Sequence, residues 1–265
     1  MRLSTARLLK KSPCLAAVLL FLPLAAVATP PDETAEAAPE SSIAVLMIGN
    51  SHSSRSDLPT MLEIMLEAGL QGTGIVVERA PGWAYLADRL GDRPTQRAFD
   101  SRPWTHVILQ AQKYSTSGRY SYPTDGAEEW IRRAHAIGAI PVLFPEWARR
   151  GNDEEGMRIQ RLYESIAAKA SACVAPVGIA WEVARDNRPG LVLHLSDGNH
   201  ANRRGALLTA YVLYEVVSGR QAEALPPLDS LKVSEEDQAY FRRIASALLA
   251  RKPACEHLRP GNAAS

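Results

Sequence analysis

The chain has 265 residues, of which 46% are hydrophobic and 22% charged, and its formal net charge is +1. That length suffices for one domain with a sizeable core. So balanced a charge gives no electrostatic reason to expect nucleic acid or an anionic membrane surface as a partner.

Residues 1–28 read as a secretory signal peptide. Arg2, Arg7, Lys10 and Lys11 form a basic start, an apolar stretch runs from Leu15 to Val27, and Ala26-Val27-Ala28 fits the small-x-small cleavage rule. The apolar stretch is 13 residues long and contains Pro23, whereas a membrane-spanning helix needs about 20. Cleavage after Ala28 predicts a secreted or periplasmic protein with no membrane span. The leader takes four basic and no acidic residues with it, so 26 Lys and Arg against 29 Asp and Glu leave a net charge of −3.

Residues 29–41, rich in Pro, Ala, Glu and Thr, read as a disordered spacer. The domain is expected over 42–252, with 253–265 as a C-terminal tail. Within it, strand-like runs appear at Ile43–Ile48, Gly74–Arg79, His106–Gln110, Ile140–Phe144 and Cys173–Val177. Helical patterns lie between and after them. Asp57 is placed to cap a helix with Pro59 in its first turn and Leu58, Leu62, Met65 and Leu66 on one face. Gly126–Ile137 and Asp153–Ser171 follow. Ala206, Ala210, Leu213, Tyr214 and Val217 share the face of a helix that Gly219 stops, and Ser234–Ala250 is the last, opened by the cap-like Ser234. Alternating strands and helices predict an α/β fold with a parallel sheet covered on both sides. In such sheets, sites form at the carboxyl ends of the strands.

Ser51 in Gly49-Asn50-Ser51 falls just past the first strand, where a nucleophile would sit. A serine hydroxyl needs a neighbouring base to take its proton. Histidine suits the task near neutrality, and a carboxylate fixes its tautomer. Asp197-Gly198-Asn199-His200 supplies both on one turn, ahead of the Gly219-stopped helix. The oxyanion of an acyl-transfer intermediate needs preorganised donors. The Ser51 backbone N–H is one candidate. Gly82, in Ala80-Pro81-Gly82-Trp83, permits close backbone approach and is another, and Gln110 or Gln112 after the third strand offers a side-chain amide.

On these residues the chain resembles the GDSL-type, or SGNH, hydrolases, over roughly positions 43–219. The first family block, Gly-Asp-Ser, corresponds to Gly49-Asn50-Ser51, the second-block glycine to Gly82, and the last block, Asp-x-x-His, to Asp197-Gly198-Asn199-His200. The resemblance implies a flavodoxin-like, five-stranded three-layer α/β/α sandwich. It also implies ester hydrolysis through an acyl-enzyme, with Ser51 as nucleophile, His200 as base and Asp197 as its orienter. Two blocks depart from the family. Asn50 replaces the usual Asp, and the third block, normally Gly-x-Asn-Asp, is Gln110-Ala111-Gln112-Lys113, which puts Gln112 at the oxyanion-donor position with Gln110 as its rival.

The substrate expected from the resemblance is a short-chain, foremost acetyl, ester of a small molecule or glycan. The rivals are a lipid-directed esterase or thioesterase, an acyltransferase on the same triad, and, from another class, a catalytically inactive carbohydrate-binding module. No metal or organic cofactor is implied. Trp83, Glu146 and Trp147 fall on the expected rim as substrate contacts or loop anchors. His52 reads as wall, since neighbours on a tight turn point apart. His106 reads as a surface histidine at the far end of the sheet, and His194 as partly buried structure. Cys173 and Cys255 either pair in an oxidising compartment or leave Cys173 a buried strand residue.

Overall fold

The computed structural model describes residues 42–258. The predicted leader, the spacer and the end of the tail lie outside the described residues. Five parallel strands form one sheet in the order β2-β1-β3-β4-β5: β1 (Ser42–Ile48), β2 (Gly74–Arg79), β3 (His106–Leu109), β4 (Ile140–Leu143) and β5 (Cys173–Val174). The helices are α1 (Leu58–Gly69), α2 (Leu86–Arg89), α3 (Arg93–Phe99), α4 (Asp125–Ala136), α5 (Glu155–Ala170), α6 (Val177–Asn187), α7 (Arg203–Ser218) and α8 (Glu235–Leu249).

Successive side chains of a strand point to opposite faces, and β1 shows it. Val45 and Met47 pack with α1, α6, α7 and α8 on one face. Ala44, Leu46 and Ile48 pack with Trp130 of α4 and Tyr163 and Ile166 of α5 on the other. The result is the three-layer α/β/α sandwich that the resemblance implied.

Four strands lie within a residue of their expected bounds. The fifth ends at Val174, because Pro176 has no N–H to offer a ladder and Val177 already opens α6. That helix and the short α2 and α3 had no predicted counterpart. Asp57 does not cap α1: its φ is 59° and it makes no side-chain capping bond. Its carboxylate instead meets Arg203 Nη1 at 3.1 Å. His106 is buried rather than on the surface, 7% exposed. Burial pushes its imidazole down to about 4. Cys173 and Cys255 are joined in a disulfide. Among the described residues, no helix is long and apolar enough to cross a membrane.

Candidate active site

The chain leaves β1 at Ile48, turns at Gly49 and Asn50, and enters one 3-10 turn at Ser51–Ser53. Asn50 Oδ1 caps this turn by accepting the His52 N–H at 2.9 Å. Gly49 has to be glycine: a Cβ there would lie 2.4 Å from Ser53 Oγ and 2.6 Å from Gln110 Oε1. The Gly49–Asn50 peptide is held at both ends, its N–H donating to Gln110 Oε1 at 2.9 Å and its carbonyl accepting from Arg89 Nη2.

At the far end of the chain, an antiparallel bridge between His194 and Ala201 closes the loop that carries Asp197 and His200. Arg150 N–H donates to Gly198 O at 2.8 Å, and Trp147 Nε1 donates to Asn199 O at 2.9 Å. The exit of β4 thus grips this loop. Asn202 follows directly and caps α7, its side chain accepting from Gly205 N–H at 3.0 Å.

These two segments, 149 positions apart in sequence, meet. Ser51 Oγ lies 2.8 Å from His200 Nε2, and His200 Nδ1 lies 2.7 Å from Asp197 Oδ2. Asp197 Oδ1 also accepts the backbone N–H groups of Asn199 and His200 at 2.9 and 3.0 Å. Those backbone donors, with the imidazole contact after them, hold the Asp197 carboxyl well below the usual carboxylate range. An ionised acceptor on Nδ1 keeps the proton there and leaves the Nε2 lone pair facing the serine.

Arg89 is the residue that sequence reasoning missed. It is 1% exposed. Its Nη1 donates to Pro81 O and, at 2.8 Å, to Thr95 Oγ1, and its Nη2 donates to Gly49 O and, at 2.7 Å, to Gly82 O. One guanidinium therefore joins the Ser51 turn to the Gly82 turn. A trans peptide places C=O and N–H on opposite sides, so anchoring the Pro81 carbonyl turns the Gly82 N–H away from Arg89. Gly82 has φ +75°, a region that glycine enters without a steric penalty. The backbone N–H groups of Ser51 and Gly82 make no hydrogen bond among the described residues. A lone arginine after a turn reads in sequence as a surface charge, and nothing in its neighbours marks it out.

No protein-family model matches the sequence, and no curated protein matches it. Solved structures do. A Slackia heliotrinireducens protein assigned to the SGNH hydrolases is 26% identical, with a TM-score of 0.55, the match covering 66% of this chain and 98% of that one. This likeness supports an SGNH/GDSL-type hydrolase family for the chain. The same fold is shared with a DUF4886 family protein from Bacteroides uniformis, at 15% identity and TM-score 0.60 over 81% of this chain and 96% of that one. It is shared also with an α/β hydrolase from the metagenome of Lake Arreo, at 13% identity and TM-score 0.53 over 69% and 96%.

The third SGNH block is where the structure corrects the sequence reading. Gln112 does not offer its amide to the site. Its Nε2 donates to Lys113 O and Pro123 O, both at 3.0 Å, and a carboxamide has only two such hydrogens. The cause is the turn at Ala111, whose φ of +78° sends Gln110 and Gln112 to different places. Gln110, 0% exposed, lies under the Ser51 turn with Oε1 on Asn50 N–H. Its buried Nε2 makes no hydrogen bond of good geometry among the described residues, yet it lies close enough to the Glu146 carboxyl to favour the ionised form there.

Glu146 and Trp147 do not form a substrate rim. They are 4% and 2% exposed and pack behind the site, because the chain leaving β4 dips under the Asp197 loop before surfacing at Arg149. Burial pushes the Glu146 carboxyl up to about 7, with Gln110 and Tyr163 pulling it partly back. Tyr163 Oη donates to Glu146 Oε2 at 3.4 Å and accepts Gln112 N–H at 2.9 Å. Trp83, by contrast, is 64% exposed, with Nε1 donating to Ser54 Oγ at 3.1 Å. Among the described residues, no group of three or more His, Cys, Asp or Glu is placed to hold a metal ion.

Proposed function

We propose that the protein is a secreted or periplasmic serine esterase that removes a short acyl group, acetyl foremost, from a small-molecule or glycan alcohol. The observation that carries the reading is the unbroken hydrogen-bonded line from Ser51 Oγ through His200 to Asp197. In the reaction, His200 Nε2 takes the Ser51 proton as Oγ attacks the ester carbonyl carbon. Asp197 accepts Nδ1–H and stabilises the imidazolium. The carbonyl oxygen, now negative, receives the Ser51 and Gly82 N–H groups. His200 then passes its proton to the departing alcohol oxygen. A water molecule, deprotonated by the same nitrogen, releases the acid and restores Ser51.

Supporting the location are the leader-like residues 1–28 and the Cys173–Cys255 disulfide, a bond that persists in oxidising compartments. The glycan part draws support from Trp83, Tyr85 and Tyr120, all exposed on loops that follow β2 and β3. Aromatic faces of this kind suit amphipathic rings. Lys113 Nζ braces two of these loops, 5.8 Å from the Tyr85 ring and 4.6 Å from that of Tyr122.

The test is hydrolysis of chromogenic acyl esters of rising chain length by the wild-type protein beside Ser51→Ala. Turnover that favours acetyl and vanishes in a folded Ser51→Ala variant is the expected result. A long-chain optimum would move the substrate to lipids. Wild-type protein that neither turns over any ester nor reacts with a serine-directed phosphonate would end the hydrolase reading.

A further inference from the structure

The reaction above leaves His52 without a part, although it adjoins the nucleophile and its ring touches the base. The two imidazoles lie 5.1 Å apart at 26°. On its other side His52 meets Trp147 at 5.3 Å and 53°. Trp147 stacks on Trp181 at 4.1 Å and 5°, and Trp181 meets the edge of His194 at 5.1 Å and 70°. Five rings thus run from the base into the core. The far end is tied by His194 Nε2 on Ala148 O at 2.9 Å. His52 is itself fixed by Asn50 Oδ1, which takes both its backbone N–H and, at 3.2 Å, a contact from Nδ1.

We infer that His52 is a positioning residue whose ring, wedged between Trp147 and His200, holds the base in the orientation that reaches Ser51 and Asp197 together. The inference rests on the hydrolase reading of the same site. Its physical basis is the freedom that two hydrogen bonds leave. Contacts at Nδ1 and Nε2 fix the line joining the two nitrogens, but the ring can still swing about that line. The Nε2 lone pair does not lie along it, so a swing aims the lone pair off Ser51 Oγ. The Asp197 side chain is 44% exposed and makes a weak wall. A face contact is what stops the swing, and His52 supplies it.

His52 also stays uncharged. Burial, first, and the neighbouring His200, second, push its imidazole down to about 4, with Arg149 acting the same way and bonds from Asn199 opposing. A neutral ring face tolerates a cation beside it, whereas a second imidazolium would repel the one that forms on His200. The groups facing this pair are Asp197 on the far edge of His200, Arg149 from the β4 exit, and the uncharged Trp147, Asn50 and Asn199. His52 therefore adds no ionisation of its own to the rate near neutral pH.

His52→Phe keeps a ring of similar size, and His52→Ala removes it. His52→Ala is expected to lower kcat by about ten- to a hundredfold with KM nearly unchanged, the scale set by small misplacements of catalytic groups. The NMR signals of the His200 ring, recorded at fixed pH without substrate, should shift and broaden, because the ring loses the face contact that holds it. His52→Phe should restore both. Wild-type kcat and wild-type His200 ring signals in His52→Ala would overturn the inference. So would a His52→Phe variant no better than alanine, or a loss that tracks only the fraction of folded enzyme while the survivors keep the wild-type kcat. Wild-type protein without ester turnover would overturn the hydrolase reading alone, since the NMR displacement is measured independently.

Discussion

Arg89→Lys separates the charge of the buried guanidinium from its shape. Arginine presents five donors in a rigid fork, and lysine three on one nitrogen. The fork bridges four acceptors, two on each Nη nitrogen, with Gly49 O on the Ser51 side and Pro81 O and Gly82 O on the other. An ammonium can serve one side only. Pro81 and Gly82 are exposed and their carbonyls can turn to water, but Gly49 is buried. The stability loss is thus mainly one charge-assisted bond to a buried carbonyl, about 1.5–3 kcal/mol. For a domain of this size that is a fall in Tm of roughly 3–12 °C. The kinetic effect should be larger in proportion. Without its Pro81 anchor the Gly82 N–H is free to rotate, and loss of one oxyanion donor lowers kcat by about a hundred- to a thousandfold, so partial loss predicts about ten- to a hundredfold. The assay is kcat and KM on an acetyl ester well below Tm, normalised by phosphonate titration of competent sites. Wild-type kcat per competent site, or a loss confined to KM, would refute the view that Arg89 shapes the oxyanion site.

Gln112→Ala should leave kcat close to wild type while lowering Tm, because its amide serves the Lys113 and Pro123 carbonyls; Gln110→Met should lower kcat by roughly tenfold by freeing the Asn50 N–H under the nucleophile. Equal kcat losses in both variants would contradict this division. The Glu146 carboxyl, raised by burial to about 7, is protonated in the native state at pH values where the unfolded chain has already lost that proton. Its stabilisation is complete below about pH 4.5 and is lost as pH rises to about 7, a span worth roughly 3 kcal/mol. Glu146→Gln should therefore raise Tm over wild type at pH 8 more than at pH 4.5, and a pH-independent difference would count against a neutral native Glu146. Cys255→Ser opens a link between positions 82 apart, which chain entropy values at about 4.5 kcal/mol. A denaturant midpoint insensitive to this change would contradict it.

The parts of the fold that alternate or repeat were legible. The run Ile43–Ile48 is apolar because both faces of β1 are covered, and Ser51 is a candidate because it sits where that strand ends. The Asp197-x-x-His200 spacing was readable because one turn suffices to bring the two side chains together. What could not be read depended on where loops travel. Gln112 seemed the right amide by counting from the third strand, yet a positive φ at Ala111 redirects the chain by one turn. Glu146-Trp147 follows a strand end and so appeared rim-like, but its loop runs beneath the Asp197 loop. Arg89 acquires its meaning only when three carbonyls from two distant turns converge on it. The helix α6 was hidden because its first residues extend an apolar run that reads as strand.

The disulfide has a consequence for the sheet as well as for the domain's stability. β5 is two residues long and forms one border of the sheet, and such a border exposes unpaired N–H and C=O groups that another chain can join. Here Val174 N–H donates to Ala254 O at 2.7 Å, beside the covalent link at Cys255. The C-terminal segment therefore acts as a cover strip over that border, and oxidation fastens the strip in place. Reduction would let it peel away and offer the border to a second molecule, so self-association should rise under thiol reductants while the Ser51–His200–Asp197 line, on the other side of β4, stays assembled.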